Sequence, residues 1–439
     1  MLTKEKERAC EVGEMLSGVV VPMLLFAAGG YFLLAVGWRI AVHPRRALSA
    51  FGGGDRKSAA TALAVALAGT LGVGNIVGVS LAILVGGAGA VFWMLLTAFF
   101  AMAVKYAEVA LAIRTRVPSP EGWVGGAPYY MGKRWLSVLF SLMCLACAVL
   151  EGCVIQANAI GEVALLAFDL PPLVTGVVLA VLALLLLPRG KAGIGGATAT
   201  LIPIATAFYL ILCLGVVGAN LPEIPRAVGQ ILSGAFTREA GRGGILGYVF
   251  SRAAKQGCAR GLLSNEAGCG TAPLAHVTAD QTTPHRQGLW GVFEVFLDTV
   301  VVCTLTALAI LTASPAGGDP AAPLAHLSRA FSGVWGRATP VLLAVCIFAF
   351  AFSTVLSWSF YGLSCLSALT KNRWARAGYL ALLILSLPAG AYMAVGTAYA
   401  WTDLLLALMT LINLPVLLLR HKEITEGETP PKIQKEKPE

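Results

Sequence analysis

The chain has 439 residues, of which 57% are hydrophobic and only 13% charged, with a formal net charge of +9 and a mean hydropathy of +0.77. Soluble domains carry roughly 25% charged residues, so this chain has too little polar surface to dissolve, and a bilayer is its natural solvent. Its basic residues lie in short loops between apolar runs rather than in one aromatic-interleaved patch, which excludes a nucleic-acid footprint.

The first apolar run, 18–38, is longer than a signal-peptide core and has no small-x-small exit, so it reads as a retained helix. With about 20 apolar residues required per span, ten further runs follow: 59–85, 89–113, 137–160, 172–187, 198–218, 245–277, 288–313, 338–368, 376–395 and 398–419. Alternate loops hold Arg39, Arg45, Arg46, Arg56 and Lys57, then Arg114, Arg116, Lys133 and Arg134, then Arg189 and Lys191, then Arg286, then Lys371, Arg373 and Arg376. The opposite loops 86–90 and 396–401 have no charge. This bias predicts an N-terminus outside and a C-terminus in the cytoplasm. The charged, Pro-containing stretch after Arg420 is expected to be disordered.

Two runs are interrupted. The second contains Gly69-Thr-Leu-Gly72-Val-Gly74-Asn75-Ile-Val-Gly78. Each interior glycine weakens a helix by about 1 kcal/mol, although Gly74-x-x-x-Gly78 also suits close helix packing. The seventh contains Arg260-Gly-Leu-Leu-Ser264-Asn265-Glu266-Ala-Gly268-Cys-Gly270-Thr271. It is either an extramembrane loop or non-helical backbone at membrane depth. The second survives only when buried in protein or lining a cavity, and the apolar flanks and loop parity favour it.

With the first helix set aside, ten spans divide into two sets of five, each beginning with an interrupted helix and the second inverted. Paired broken helices in inverted halves mark a transporter's midplane site. The next helices also resemble one another (90–113 and 291–310) and carry acids, Glu108, Glu294 and Asp298. Further on, Ser353 and Thr354 offer hard oxygens for a small cation, with Trp358 one turn along the same face; the hydroxyls could equally bond back to their own helix. Gln156 can donate to and accept from a zwitterion, or sit as an interfacial amide. Ten cysteines occur, most in apolar runs, and Cys144-x-x-Cys147 reads as packing. His43, His276, His285, His326 and His421 form no metalloprotease-like spacing, and two unlike broken helices do not make a channel filter.

At GTLGVGNIVG, VGGAPYYM, IQAN, ARGLLSNEAGCGTAPLAH, RQGLWGVFEVFLDTVVVCTLTALAIL and FSTVLSWSFYG the chain resembles the alanine-or-glycine:cation symporter family over about residues 59–370. The resemblance implies an all-α polytopic protein with a LeuT-type fold of five plus five inverted helices preceded by one extra helix. It divides the chain into an N-terminal helix and loop (1–58), a first repeat (59–218), an extracellular connector (219–244), a second repeat (245–420) and a tail (421–439). It further implies Na⁺-coupled uptake of alanine or glycine across the cytoplasmic membrane, with proton-coupled or uncoupled transport as the alternative. Na⁺ is the coupling ion, and no other cofactor, nucleic acid or obligatory protein partner is expected. On the family pattern Na⁺ would rest on Leu71, Gly72, Gly74, Ser353 and Thr354. Substrate would rest on Gly72, Gly74, Asn75, Gln156 and Trp358, with the stretch holding Ser264, Gly268, Gly270 and Thr271 supplying further contacts. Arg260 and Glu266 would pair with each other or with Asp298, as a gate or a structural ion pair, because buried charges need partners. Departures from the pattern fall near the pocket: Val73 and Ala88 replace the usual Thr and Pro, GGAPYY stands for GGPMYY, and Val79-Ser80-Leu81 replaces a small, Thr-containing run.

Overall fold

The computed structural model describes residues 15–37, 55–120, 122–236, 251–313, 318–320, 322–394 and 396–425. The basic loop at 38–54, residues 245–250 of the seventh run and the tail from 426 lie outside them.

Among the described residues each of the eleven apolar runs is helical, with breaks inside the second and the seventh. Helix α1 spans Leu16–Gly37. The second run is two pieces, α2 (Arg56–Thr70) and α3 (Val77–Gly86), with Asp55 capping the first by accepting from the Ser58 amide at 3.0 Å. Then come α4 (Gly89–Thr115), a small hairpin of β1 (Val117–Ser119) and β2 (Gly122–Val124), and the short α5 (Ala127–Tyr130). Helix α6 runs Arg134–Phe168 with a π-helical turn at Leu150–Ile155. Helix α7 (Pro172–Leu186) and α8 (Gly190–Ala219) are joined by a tight turn. Helix α8 begins eight residues before the sequence suggests, because the 3₁₀ turn Leu187–Arg189 and Gly190, at φ +60, complete the corner early.

The loop after α8 carries the amphipathic α9 (Ile224–Ala235). The seventh run is α10 (Arg252–Asn265), an irregular stretch, and α11 (Pro273–His276). Helix α12 spans Pro284–Ala313 with a π-helical stretch at Phe296–Cys303. The remaining helices are α13 (Pro323–Trp335), α14 (Thr339–Leu369), α15 (Arg373–Tyr392), α16 (Gly396–Leu419) and α17 (His421–Thr425). The last of these places helix on the first five residues of the expected tail.

Eight helical runs among the described residues are long and apolar enough to cross a membrane. The bundle's surface and interior are ordered as lipid requires. Leu142, Val177, Val181, Leu184, Ile204, Ile211, Leu382 and Leu385 face outward. Lys105, Glu108, Glu266, Glu294 and Asp298 are buried. Intramembrane ionisable groups turn inward in this way because a charge facing hydrocarbon finds no partner.

Helices α10 and α12 both pack along α4, while α14 lies against α6 and α8. Close approach of α10 to α4 depends on Gly257: a Cβ there would lie 2.2 Å from the Ala90 carbonyl oxygen. Small residues of this kind let backbones meet in membranes.

Candidate functional site

The first interruption is built by Leu71 and Gly72. Leu71 leaves the helical region (φ −75°, ψ 80°) and Gly72 is extended (φ −122°, ψ −154°), followed by a 3₁₀ turn over Val73–Asn75. The backbone groups released there find side-chain partners. The Gly72 amide donates to Asn75 Oδ1 at 3.1 Å, and the Val73 amide lies 3.5 Å from Gln156 Oε1. From α14 the Thr354 hydroxyl is 3.5 Å from the Leu71 carbonyl oxygen and donates to Phe350 at 3.0 Å. A Cβ on Gly72 would fall 2.9 Å from Thr354 Oγ1, so a side chain at 72 has no room, whereas one at Gly74 would meet nothing within 4 Å. Ser353 is buried and bonds back to Phe350 at 2.7 Å. Nearby, Ser357 donates to the Val65 carbonyl at 2.5 Å, tying α14 to α2. Trp358 is fully buried against Gly152 of α6, where an added Cβ would be 2.4 Å from the Trp358 Cβ.

The second interruption is a run of left-handed backbone at Glu266 (φ 50), Gly268 (φ 86) and Gly270 (φ 80). Such residues cannot continue a helix, and for a non-glycine such as Glu266 the conformation costs about 1–3 kcal/mol. The structure corrects the pairing expected for its charges. Arg260 binds Asp403 of α16 at 3.1 Å, not Glu266 or Asp298. Glu266 instead accepts the Thr271 hydroxyl at 2.6 Å. Asp298 accepts from Asn75 Nδ2 at 2.6 Å, from the Ser264 hydroxyl at 2.7 Å and from Thr299 at 2.8 Å. The physical reason is helix phase: Arg260 lies more than a turn before Glu266, while Asp298 comes from the π-helical stretch of α12 that faces the first interruption.

Asn75 and Ser264, 2.9 Å apart, therefore join the two interruptions through Asp298. Gly268, Gly270 and Thr271 are not brought to the first interruption. A Cβ on Gly268 would meet Thr410 and Leu414, and one on Gly270 would meet Ala127 and Phe140.

Three polar groupings went unread in the sequence. Lys105, on α4, is fully buried with its ammonium 3.3 Å from Glu294, whose other oxygen is 2.8 Å from His276 Nε2; Gln287 holds the second His276 nitrogen at 2.8 Å. Glu108 accepts from the Gly270 amide at 2.8 Å and from Asn413 at 2.6 Å. Glu151 accepts from Gln156 at 3.1 Å. A lysine inside an apolar span, and an acid inside another, were the available signals.

The sequence pattern of the sodium:alanine symporter family matches residues 5–429. The chain belongs to that family. A relative named sodium/alanine symporter AgcS, from Methanococcus maripaludis, is 36% identical over 371 residues, covering 82% of this chain and 80% of the relative. An uncharacterized transporter of Haemophilus influenzae is 34% identical over 421 residues, 93% of this chain and 92% of that one. The crystal structure of MhsT in complex with L-phenylalanine superposes with a TM-score of 0.55 at 14% identity, covering 80% of this chain and 87% of the other, which shows a shared fold. This family member is a multi-pass membrane transporter of LeuT-type fold and not an enzyme.

Proposed function

We propose that the protein imports a small neutral amino acid, alanine or glycine, together with Na⁺, by alternating access. The observation that carries this reading is the Thr354 hydroxyl facing the Leu71 carbonyl at 3.5 Å across the first interruption. Carbonyls released where a helix is broken, together with hydroxyls from a neighbouring helix, are the hard, neutral oxygen donors a small monovalent cation takes. The carbonyls of Leu71, Gly72 and Gly74 and the hydroxyls of Ser353 and Thr354 would supply them. Substrate would lie in the space beside Gly74, its carboxylate drawn to the amides at the start of α3, with Gln156 and Trp358 bounding it. Cation binding would stiffen the 71–76 segment and so complete the carboxylate cradle. One bundle of helices would then rock against the rest to expose the site inward, in a cytoplasmic membrane with the N-terminus outside.

Proton coupling is favoured as the second reading by one observation: Glu108, Glu266, Glu294 and Asp298 are all buried, and Lys105 is the buried lysine among them. Carboxyls in excess of cations at membrane depth are characteristic of proton paths.

The test is uptake of labelled alanine into proteoliposomes under an inward Na⁺ gradient. Na⁺-dependent accumulation that glycine competes is the expected result. Accumulation under a proton gradient alone selects the second reading, and none under either gradient overturns both.

A further inference from the structure

We infer that Glu151 is the counter-charge for the ammonium group of the transported amino acid. The inference rests on the amino-acid reading above and assigns the ammonium to a residue that reading does not use.

Glu151 sits in the π-helical turn Leu150–Ile155 of α6. Such turns add a residue to the helix and recur at functional positions. Here the turn stacks Glu151 directly beneath Gln156, five residues on, and the two are joined at 3.1 Å. Gln156 in turn reaches the Val73 amide of the first interruption. Glu151 is thus one side chain removed from the broken backbone. It also neighbours Gly152, the residue on which Trp358 packs.

Only one of its carboxylate oxygens is used. Oε2 is buried and has no hydrogen-bond partner among the described residues, and the same holds for the Trp358 indole N–H. An unpaired carboxylate oxygen away from water is costly, and a transporter tolerates that cost where a substrate group completes the pair. Glu151 nonetheless retains some exposure, as does Gly74, while Gly72, Val73, Asn75 and Gln156 are buried. The acid and Gly74 are the partly exposed positions of this group.

The charge balance indicates the sign of the missing partner. The cation whose field reaches Glu151 is Arg260, and Asp403 already holds it at 3.1 Å. Tyr399 stands beside the same three groups. Glu151, Asp403 and Arg260 together leave one negative charge uncompensated, and Glu266, the next charged group facing Glu151, adds no positive charge. An ammonium brings the cluster to neutrality. Its three N–H groups suit Glu151 Oε2 and Gln156 Oε1. The substrate's carboxylate then points the other way, to the amides of the first interruption and the indole N–H of Trp358. A zwitterion is thereby read at both ends.

The test is equilibrium binding of labelled alanine to the purified full-length protein in nanodiscs with saturating Na⁺, for wild type, Glu151→Gln and Glu151→Asp. Propionate, which is alanine without its ammonium, serves as competitor. Glu151→Gln keeps the size and the hydrogen bond to Gln156. It is expected to weaken alanine at least tenfold without weakening propionate, so that discrimination between the two collapses, while Glu151→Asp restores part of it. Equal loss of alanine and propionate means the residue only supports Gln156, and unchanged alanine binding means it is not in the site; either overturns the inference while leaving the transport reading intact. Wild-type protein that binds neither alanine nor glycine overturns that reading and the inference with it.

Discussion

Replacing Glu294 by Gln isolates the worth of the buried Lys105–Glu294 pair. The ammonium and carboxylate are 3.3 Å apart and both side chains are fully buried, so their Coulomb attraction is about 5 kcal/mol at an effective dielectric of about 20. Gln preserves volume and the hydrogen bond to His276, leaving Lys105 without its closest counter-ion. Breaking one side of a buried pair costs about 3–5 kcal/mol, and the lower end is expected, because Lys105 also lies in the field of Glu108 and Glu266. Lys105→Met should cost at least as much, since it strips the cation from three acids at once. In Lys105→Met/Glu294→Gln no unpaired charge remains between positions 105 and 294, so the double variant should lose no more than the worse single one, a coupling of at least about 3 kcal/mol. The assay is SDS titration of the purified protein in mixed micelles, followed by tryptophan fluorescence. Additive losses, or a Glu294→Gln protein as stable as wild type, would refute the argument that this pair is held together by charge.

Two further outcomes are expected. Thr354→Ala removes a hydroxyl that faces the Leu71 carbonyl and should raise the Na⁺ concentration for half-maximal alanine uptake several-fold; an unchanged Na⁺ dependence would mean the ion sits elsewhere. Gly152→Ala places a methyl 2.4 Å from the Trp358 Cβ, which neither backbone can yield cheaply. It should reduce uptake more than tenfold with the protein still monodisperse on size exclusion, and uptake at the wild-type rate would show that Trp358 is not set by this contact.

Much of the architecture was legible because lipid imposes simple rules. Apolar runs of a given length become helices, and glycine-rich polar stretches inside them become interruptions. The glycine-rich stretches 69–78 and 260–271 mark the two interruptions by composition, and the structure narrows the breaks to 71–76 and 266–270 within them. What pairs across the bundle was not legible. Arg260 and Asp403 are 143 residues apart in sequence, and nothing local to Arg260 distinguishes Asp403 from Glu266, which is nearer along the chain. Lys105 stands among apolar neighbours, where nothing local to it points to Glu294, 189 residues further along the chain. The π-helical turns at Leu150–Ile155 and Phe296–Cys303 shift the face of α6 and α12 by one residue. No 3.6-residue periodicity predicts that Glu151 stacks on Gln156, or that Asp298 looks toward Asn75.

The left-handed stretch after α10 does not hang free between its two helical ends. Its Gly270 amide is held by Glu108 of α4, and its Gly268 carbonyl by Asn413 of α16 at 2.9 Å. Asn413 also donates to Glu108 and accepts from Tyr130. A kink pinned from two sides is a joint welded to its frame. Torque applied to α10 is passed to α4 and α16 and is not absorbed by bending at the glycines. Any rocking therefore carries these three helices as one lever, whereas α14 meets α2 through the Ser357–Val65 hydrogen bond and the approach of Tyr361 to Gly69.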